Sequence, residues 1–89
     1  MEWFSGLDQD EQDRLRRLLD EPENADASKE AGDNIEYGCW LVATDELCWQ
    51  QHRVSIFDLS DLPWPAWYDD GLTPAEVLVT ALEEDGLGQ

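Results

Sequence analysis

The tetrapeptide Thr73-Pro74-Ala75-Glu76 constrains the fold more tightly than any other stretch of this sequence. Threonine three residues before glutamate is the capping-box spacing: the hydroxyl accepts from the third helical N–H, and the carboxylate reaches back to the N-cap N–H. Proline at the first helical position has no N–H to leave unpaired and carries a φ already suited to a helix. A helix therefore starts at Pro74. Leu72 is placed to staple onto Val77, and Val77, Leu78, Ala81 and Leu82 form one apolar stripe at helical spacing. Gly86 is expected to end the helix in a left-handed cap, with Leu87 folding back.

Signals of the same kind predict an earlier helix over about Asp8–Leu19. Asp8 and Glu11 have the capping spacing, with aspartate in place of the usual threonine or serine. Asp10–Arg14 and Asp13–Arg17 are acid-before-base pairs four apart, the favourable order. Leu7, Leu15, Leu18 and Leu19 supply a partial apolar stripe that Trp3 and Phe4 extend, and Pro22 stops the helix. Residues 20–34 contain no large apolar side chain, end in Gly32-Asp33-Asn34, and read as a polar connecting loop.

Residues 35–58 are rich in Ile, Tyr, Trp, Val and Phe, the side chains of half-buried strands. A hairpin with a loop at Ala43-Thr44-Asp45-Glu46 sets Trp40 opposite Trp49 and Glu36 opposite Arg53 on one face. On the other it pairs Ile35 with Val54 and Leu41 with Cys48. A shorter loop at Ala43-Thr44 instead sets Cys39 opposite Cys48; the first register is preferred. Residues 59–71 carry Pro63 and Pro65, which exclude regular structure, and read as an irregular aromatic segment. Its Trp64, Trp67 and Tyr68 are either a lid on a small core or an exposed anchor, since Trp and Tyr dominate interface hot spots. The expected architecture is α+β: an N-terminal helix, an antiparallel β-hairpin or small sheet, and a C-terminal helix, in a single domain over residues 1–89.

Charge then narrows the function. The chain has 22 acidic against 5 basic residues, a formal net charge of −17. Residues 1–30 hold ten acids and four bases, whereas residues 31–89 hold twelve acids and Arg53 alone, so the bias belongs to the whole surface. Such self-repulsion opposes the compact state. Five tryptophans and 42% hydrophobic residues separate the chain from disordered acidic tails, which are poor in aromatics. The field repels nucleic acid and anionic membranes and draws in cationic surfaces, so no direct nucleic-acid binding is expected. No stretch approaches the roughly 18–20 apolar residues that span a bilayer. Met1-Glu2-Trp3-Phe4 lacks the cationic start and long apolar run of a signal peptide. A cytoplasmic location is expected, with Cys39 and Cys48 reduced.

Reactive chemistry has little support. His52 is the single histidine, and no motif joins it to Cys39 or Cys48 as a nucleophile–base pair. There is no glycine-rich phosphate loop and no zinc spacing. Asp8-x-Asp10-x-x-Asp13 lacks the glycine of a calcium loop and coincides with a helix start, and the adjacent acids of Asp69-Asp70-Gly71 do not make a cage. So short a chain leaves little room for a sugar cleft flanked by two carboxylates. No enzyme activity, cofactor or metal is expected.

The placement of the acids is the positive signal. Helix dipoles disfavour anions at C-termini. Yet the last helix ends in Glu83-Glu84-Asp85, and the first runs into Asp20-Glu21 with Glu23 beyond. With the Asp69-Asp70 and Asp45-Glu46 pairs, this points to selection for a negative surface. The candidate partner-binding residues are Asp45, Glu46, Asp58, Asp61, Asp69, Asp70, Glu83, Glu84 and Asp85, with Trp64 and Trp67 as apolar anchors. Carboxylates one helical turn apart, or two apart on a strand, lie about 5–7 Å from one another. Rows of them suit the lysines and arginines of a phosphate-binding groove.

In size, charge, soluble α+β character and acid runs such as Glu83-Glu84-Asp85, the chain resembles small phage-borne DNA mimics. These include inhibitors of restriction enzymes and of uracil-DNA glycosylase, and acidic anti-CRISPR proteins. The resemblance lies in overall composition and rests on no shared motif. It implies a cytoplasmic inhibitor, inside a bacterial host cell, of a basic nucleic-acid-binding protein or complex. Two other readings fit the same acids: an immunity or antitoxin protein neutralising a basic nuclease, and a salt-adapted acidic adaptor protein whose self-repulsion is screened.

Overall fold

The computed structural model describes residues 2–59 and 62–85, and the side chains of Glu2 and Asp85 lie outside the description. Its helices are α1 (Glu2–Ser5), α2 (Gln9–Leu19), α3 (Ala25–Ala31), α4 (Ile35–His52), α5 (Trp64–Asp69) and α6 (Pro74–Asp85). Single 3-10 turns occupy Pro22–Asn24 and Ile56–Asp58. No strand occurs among the described residues, so the expected α+β architecture gives way to an all-helical one.

The central correction concerns residues 35–52. They form one helix, α4, and Ala43-Thr44-Asp45-Glu46, expected as a hairpin loop, lies in its middle. Tyr37 through Val42 are buried consecutively. A strand facing one core buries alternate residues, whereas a helix that buries a whole turn and more is enclosed on every side. Packing of α2, α3 and α6 against α4 provides that enclosure. Of the side chains that suggested strands, Tyr37, Trp40, Leu41 and Val42 are core side chains of this helix, whereas Ile35 and Trp49 reach solvent, since tertiary packing overrides modest intrinsic preferences.

Local chemistry fixes both ends of α4. Asn34 is its N-cap, with Oδ1 accepting from the Tyr37 N–H at 3.1 Å. Arg53 closes it in the left-handed region at φ 59°, and its N–H donates to the Trp49 carbonyl at 2.9 Å. Trp40 and Trp49, nine residues apart, project from opposite sides at about 100° per residue. Trp40 is fully buried and Trp49 is 53% exposed. Cys39 and Cys48 have the same nine-residue separation, roughly 13 Å of helical rise. That is too far for a disulfide, and both are free buried thiols.

Trp40 organises the interior. Its indole Nε1–H donates to the Leu72 carbonyl at 2.8 Å, tying α4 to the residue just before the α6 cap. Its ring meets Trp64 edge-on at 6.4 Å and Tyr68 at 5.4 Å. Thr44, the buried polar residue of α4, donates its hydroxyl to the Trp40 carbonyl at 2.8 Å.

The remaining elements follow from their caps. Asp8 accepts from the Glu11 N–H at 2.9 Å and starts α2, as its spacing predicts. Both halves of the Thr73–Glu76 box form: the Thr73 N–H donates to Glu76 Oε1 at 2.9 Å, and the Glu76 N–H to Thr73 Oγ1 at 3.2 Å. The expected Gly86 cap and the Leu87 fold-back lie outside the described residues. The segment 20–34, expected as loop, contains the Pro22–Asn24 turn and α3. The aromatic segment, expected to be irregular, forms α5 over Trp64–Asp69, with Pro65 in its first turn, where proline is tolerated.

Helix α3 explains why a segment without large apolar residues still packs. Ala27 is buried and Ala31 half-buried, so its backbone can lie close to α4. Gly38 of α4 sits where this approach is tightest: a Cβ there would stand 2.6 Å from Leu19 Cδ2 and 3.2 Å from the Ala31 Cβ. Gly38→Val therefore overpacks this junction. The expected loss is about 1–3 kcal/mol, read as a lower urea midpoint at unchanged slope; equal or raised stability would remove the close approach.

Candidate acidic binding surface

The structure divides the sequence-selected acids into two sets. Asp45 and Glu46 are engaged within the chain. Asp45 Oδ1 accepts the Ser55 hydroxyl at 2.7 Å and the Ile56 N–H at 2.9 Å, closing the turn after α4. Glu46 receives a two-point contact from Arg14, with Nη1 at 2.9 Å and Nη2 at 3.1 Å, and the same guanidinium also reaches Glu11. Such partly exposed pairs contribute at most about 1 kcal/mol each, so their role is to join α2 to α4 rather than to dominate stability.

The other acids face outward. Asp58 is exposed in the second 3-10 turn, and Asp69 and Asp70 are exposed where α5 ends. Glu83 and Glu84 are exposed in the last turn of α6, which holds no basic residue. Asp85 closes α6 but its side chain, like the whole of Asp61, lies outside the described residues. Among the described residues no basic side chain pairs with Asp69, Asp70, Glu83 or Glu84. The last turn of α6 holds no basic residue, in line with the dipole argument, which is corrected at α2, where Arg16 and Arg17 occupy the last turn ahead of Asp20 and Glu21.

Trp64 and Trp67 form part of the aromatic interior. Trp64 is buried against Trp40, and Trp67 is half-buried with its ring edge-on to Trp64 at 5.3 Å. They behave as a lid over the core. Among the described residues, the large apolar side chains that do reach solvent are Ile35, Trp49 and Val79.

The fold also brings Glu30 of α3 to a pair of tyrosines from α4 and α5. Tyr37 and Tyr68 pack with their rings tilted by 47° and 4.9 Å between ring centres, and the Tyr37 hydroxyl lies 3.5 Å from Glu30 Oε2 of α3. Burial raises the Tyr37 phenol, and the charges of Glu30 and Asp69 raise it further. Burial also leads in raising Tyr68, followed by Glu36 and Asp69, while a hydrogen bond with Asn34 acts the other way. Glu36 and Asp69 adjoin Tyr37 and Tyr68 in the sequence, while Glu30 reaches the pair from α3. Asp26, one turn before Glu30 on α3, extends this surface beside Lys29 and Phe57. Asp26, Glu30 and Glu36 were not among the sequence-selected residues. The i,i+4 spacing of Asp26 and Glu30 inside an alanine-rich run was the available signal.

Reactive groups do not converge anywhere comparable. No group of three or more His, Cys, Asp or Glu side chains has the geometry to hold a metal ion among the described residues. Burial pushes the Cys39 thiol up to about 11 and raises Cys48 as well, so both stay protonated near neutral pH. His52 is exposed at the end of α4. Among the described residues, no helix is long and apolar enough to cross a membrane. No protein-family model matches the chain, no curated protein is significantly similar to it, and no solved structure matches it.

The tyrosine pair gives a direct check of this arrangement. Tyr37 and Tyr68 are the only tyrosines in the chain, so all tyrosinate absorbance reports on them. A folded-state pKa above the ordinary 10 means that the associated stability is complete below pH 10 and is lost as pH rises through the folded values. Native protein should ionise its tyrosines at higher pH than urea-unfolded protein, and its urea midpoint should fall between pH 9 and roughly 11. Coincident native and unfolded titration curves would remove the burial and the converging acids together.

Proposed function

We propose that this protein is a non-enzymatic acidic binder that occupies the nucleic-acid-binding groove of a basic bacterial protein or complex. The observation that supports this most is that Asp69, Asp70, Glu83 and Glu84 stand exposed at the ends of α5 and α6 with no basic side chain paired to them among the described residues. A chain shaped only for stability has no reason to leave acids uncompensated, because each adds to the repulsion within a chain of net charge −17. The exposed acids ending α5 and α6 add to the same cost, about 0.3–1 kcal/mol per anion at a helix C-terminus. Asp26 and Glu30 stand one helical turn apart, a spacing of about 5–6 Å that suits adjacent phosphate-binding side chains. Binding of this kind needs no cofactor and no bond-making residue.

The functional test is capture on immobilised protein from a bacterial lysate, followed by challenge of the retained partner with duplex DNA or RNA. Nucleic acid should displace the partner, and simultaneous, independent binding of both would defeat groove occupancy. Replacing Glu83 and Glu84 by glutamine should weaken capture and flatten its salt dependence while raising stability by up to about 1 kcal/mol. Unchanged affinity would take the α6 end out of the interface. A melting curve against salt separates this function from salt adaptation: unfolding in dilute buffer with recovery only at molar salt would favour the latter.

A further inference from the structure

We infer that a cleft bounded by α2, α4 and the start of α6 receives an apolar side chain flanked by lysine or arginine on the basic partner. The inference rests on the acidic-binder function and adds a second, apolar point of attachment to it. The cleft has a volume of about 660 Å³. Trp3, Leu7, Ala43, Leu47, Pro74 and Ala75 supply its apolar lining. That volume lies within the ~300–1,000 Å³ range of ligand-sized clefts, ample for one large side chain.

The charges in the cleft decide what kind of segment fits. Its ionised residues are Glu11, Arg14 and Glu46, and the guanidinium of Arg14 is already held by both carboxylates. An incoming acid therefore finds no unoccupied cation. An incoming lysine or arginine finds carboxylate side chains still accessible, at 39% exposure for Glu11 and 35% for Glu46. A second copy of this chain is disfavoured as occupant, because it brings another net charge of −17 to the same surface. Cationic charge draws the partner in over long range, and burial of one apolar group then slows its departure. Affinity from the acids alone is generic for polycations; the cleft makes it selective.

The test uses two synthetic peptides of identical leucine and lysine composition, one patterned as an amphipathic helix and one scrambled. The patterned peptide should bind at least about tenfold more tightly, the difference expected from burying one large apolar side chain. It should shift the Trp3 indole N–H and the Ala43 and Leu47 amides in NMR spectra, which the scrambled peptide should leave in place. Ala75→Trp fills the cleft from an exposed position and leaves the Thr73–Glu76 cap and every acid intact. It should reduce the patterned peptide to the level of the scrambled one at an unchanged melting temperature. Equal, salt-sensitive binding of both peptides would overturn the cleft while leaving the acidic-binder function standing. Failure of both peptides to bind at low salt would overturn the cleft and the acidic-binder function together. An advantage that survives Ala75→Trp, with the native spectrum kept, would also overturn the cleft. So would a dimer in sedimentation that this variant dissociates, because the occupant would then be a second copy.

Discussion

The hydrogen bond from the Trp40 indole to the Leu72 carbonyl is the interaction on which the arrangement of the chain depends. A buried indole N–H without a partner is costly, and here the partner is a main-chain oxygen on a segment remote in sequence. Meeting that requirement brings the end of the aromatic segment against the middle of α4. Trp64 and Tyr68 then close on the Trp40 ring, and α6 departs from Thr73 in a fixed direction. The capping box acts at the same place, because the Thr73 N–H held by Glu76 immediately follows the Leu72 carbonyl held by Trp40. A long-range anchor and a local helix start thus share one peptide unit.

This core leaves the acids to two separate tasks. Asp8, Asp45, Glu11, Glu46 and Glu76 receive hydrogen bonds from the chain itself, at a cap, a turn or an ion pair. Asp26, Asp58, Asp69, Asp70, Glu83 and Glu84 are exposed and distributed over α3, the second 3-10 turn, α5 and α6. The fold needs the first set. The second adds to the repulsion within the domain, and Asp69, Asp70, Glu83 and Glu84 stand besides at helix ends that disfavour anions.

What was legible in the sequence was local. Asp8 and Thr73–Glu76 announce α2 and α6 because a cap is read from residues within one turn of each other. The helical state of α4 was hidden because Tyr37 through Val42 are all apolar or small, so no 3.6-residue period distinguishes a core-facing side from a solvent-facing one. Strand-forming side chains then filled the gap with a hairpin. Helix α3 was hidden for the opposite reason: it buries Ala27 and sets Ala31 against Gly38, packing made of small side chains. The candidate surface inherited both errors. Asp45 and Glu46 looked free while they were placed in a loop, and Asp26 and Glu30 were passed over while their segment had no helical face.

The enclosure of α4 has a consequence before folding is complete. The stretch from Tyr37 to Val42 has no polar side to present to water, so until α2, α3 and α6 arrive it exposes adhesive surface to any neighbouring chain. The net charge of −17 is carried by the unfolded polypeptide too, where it holds separate molecules apart during that interval. Carboxylates that burden the finished domain therefore act as a built-in safeguard against aggregation while it assembles.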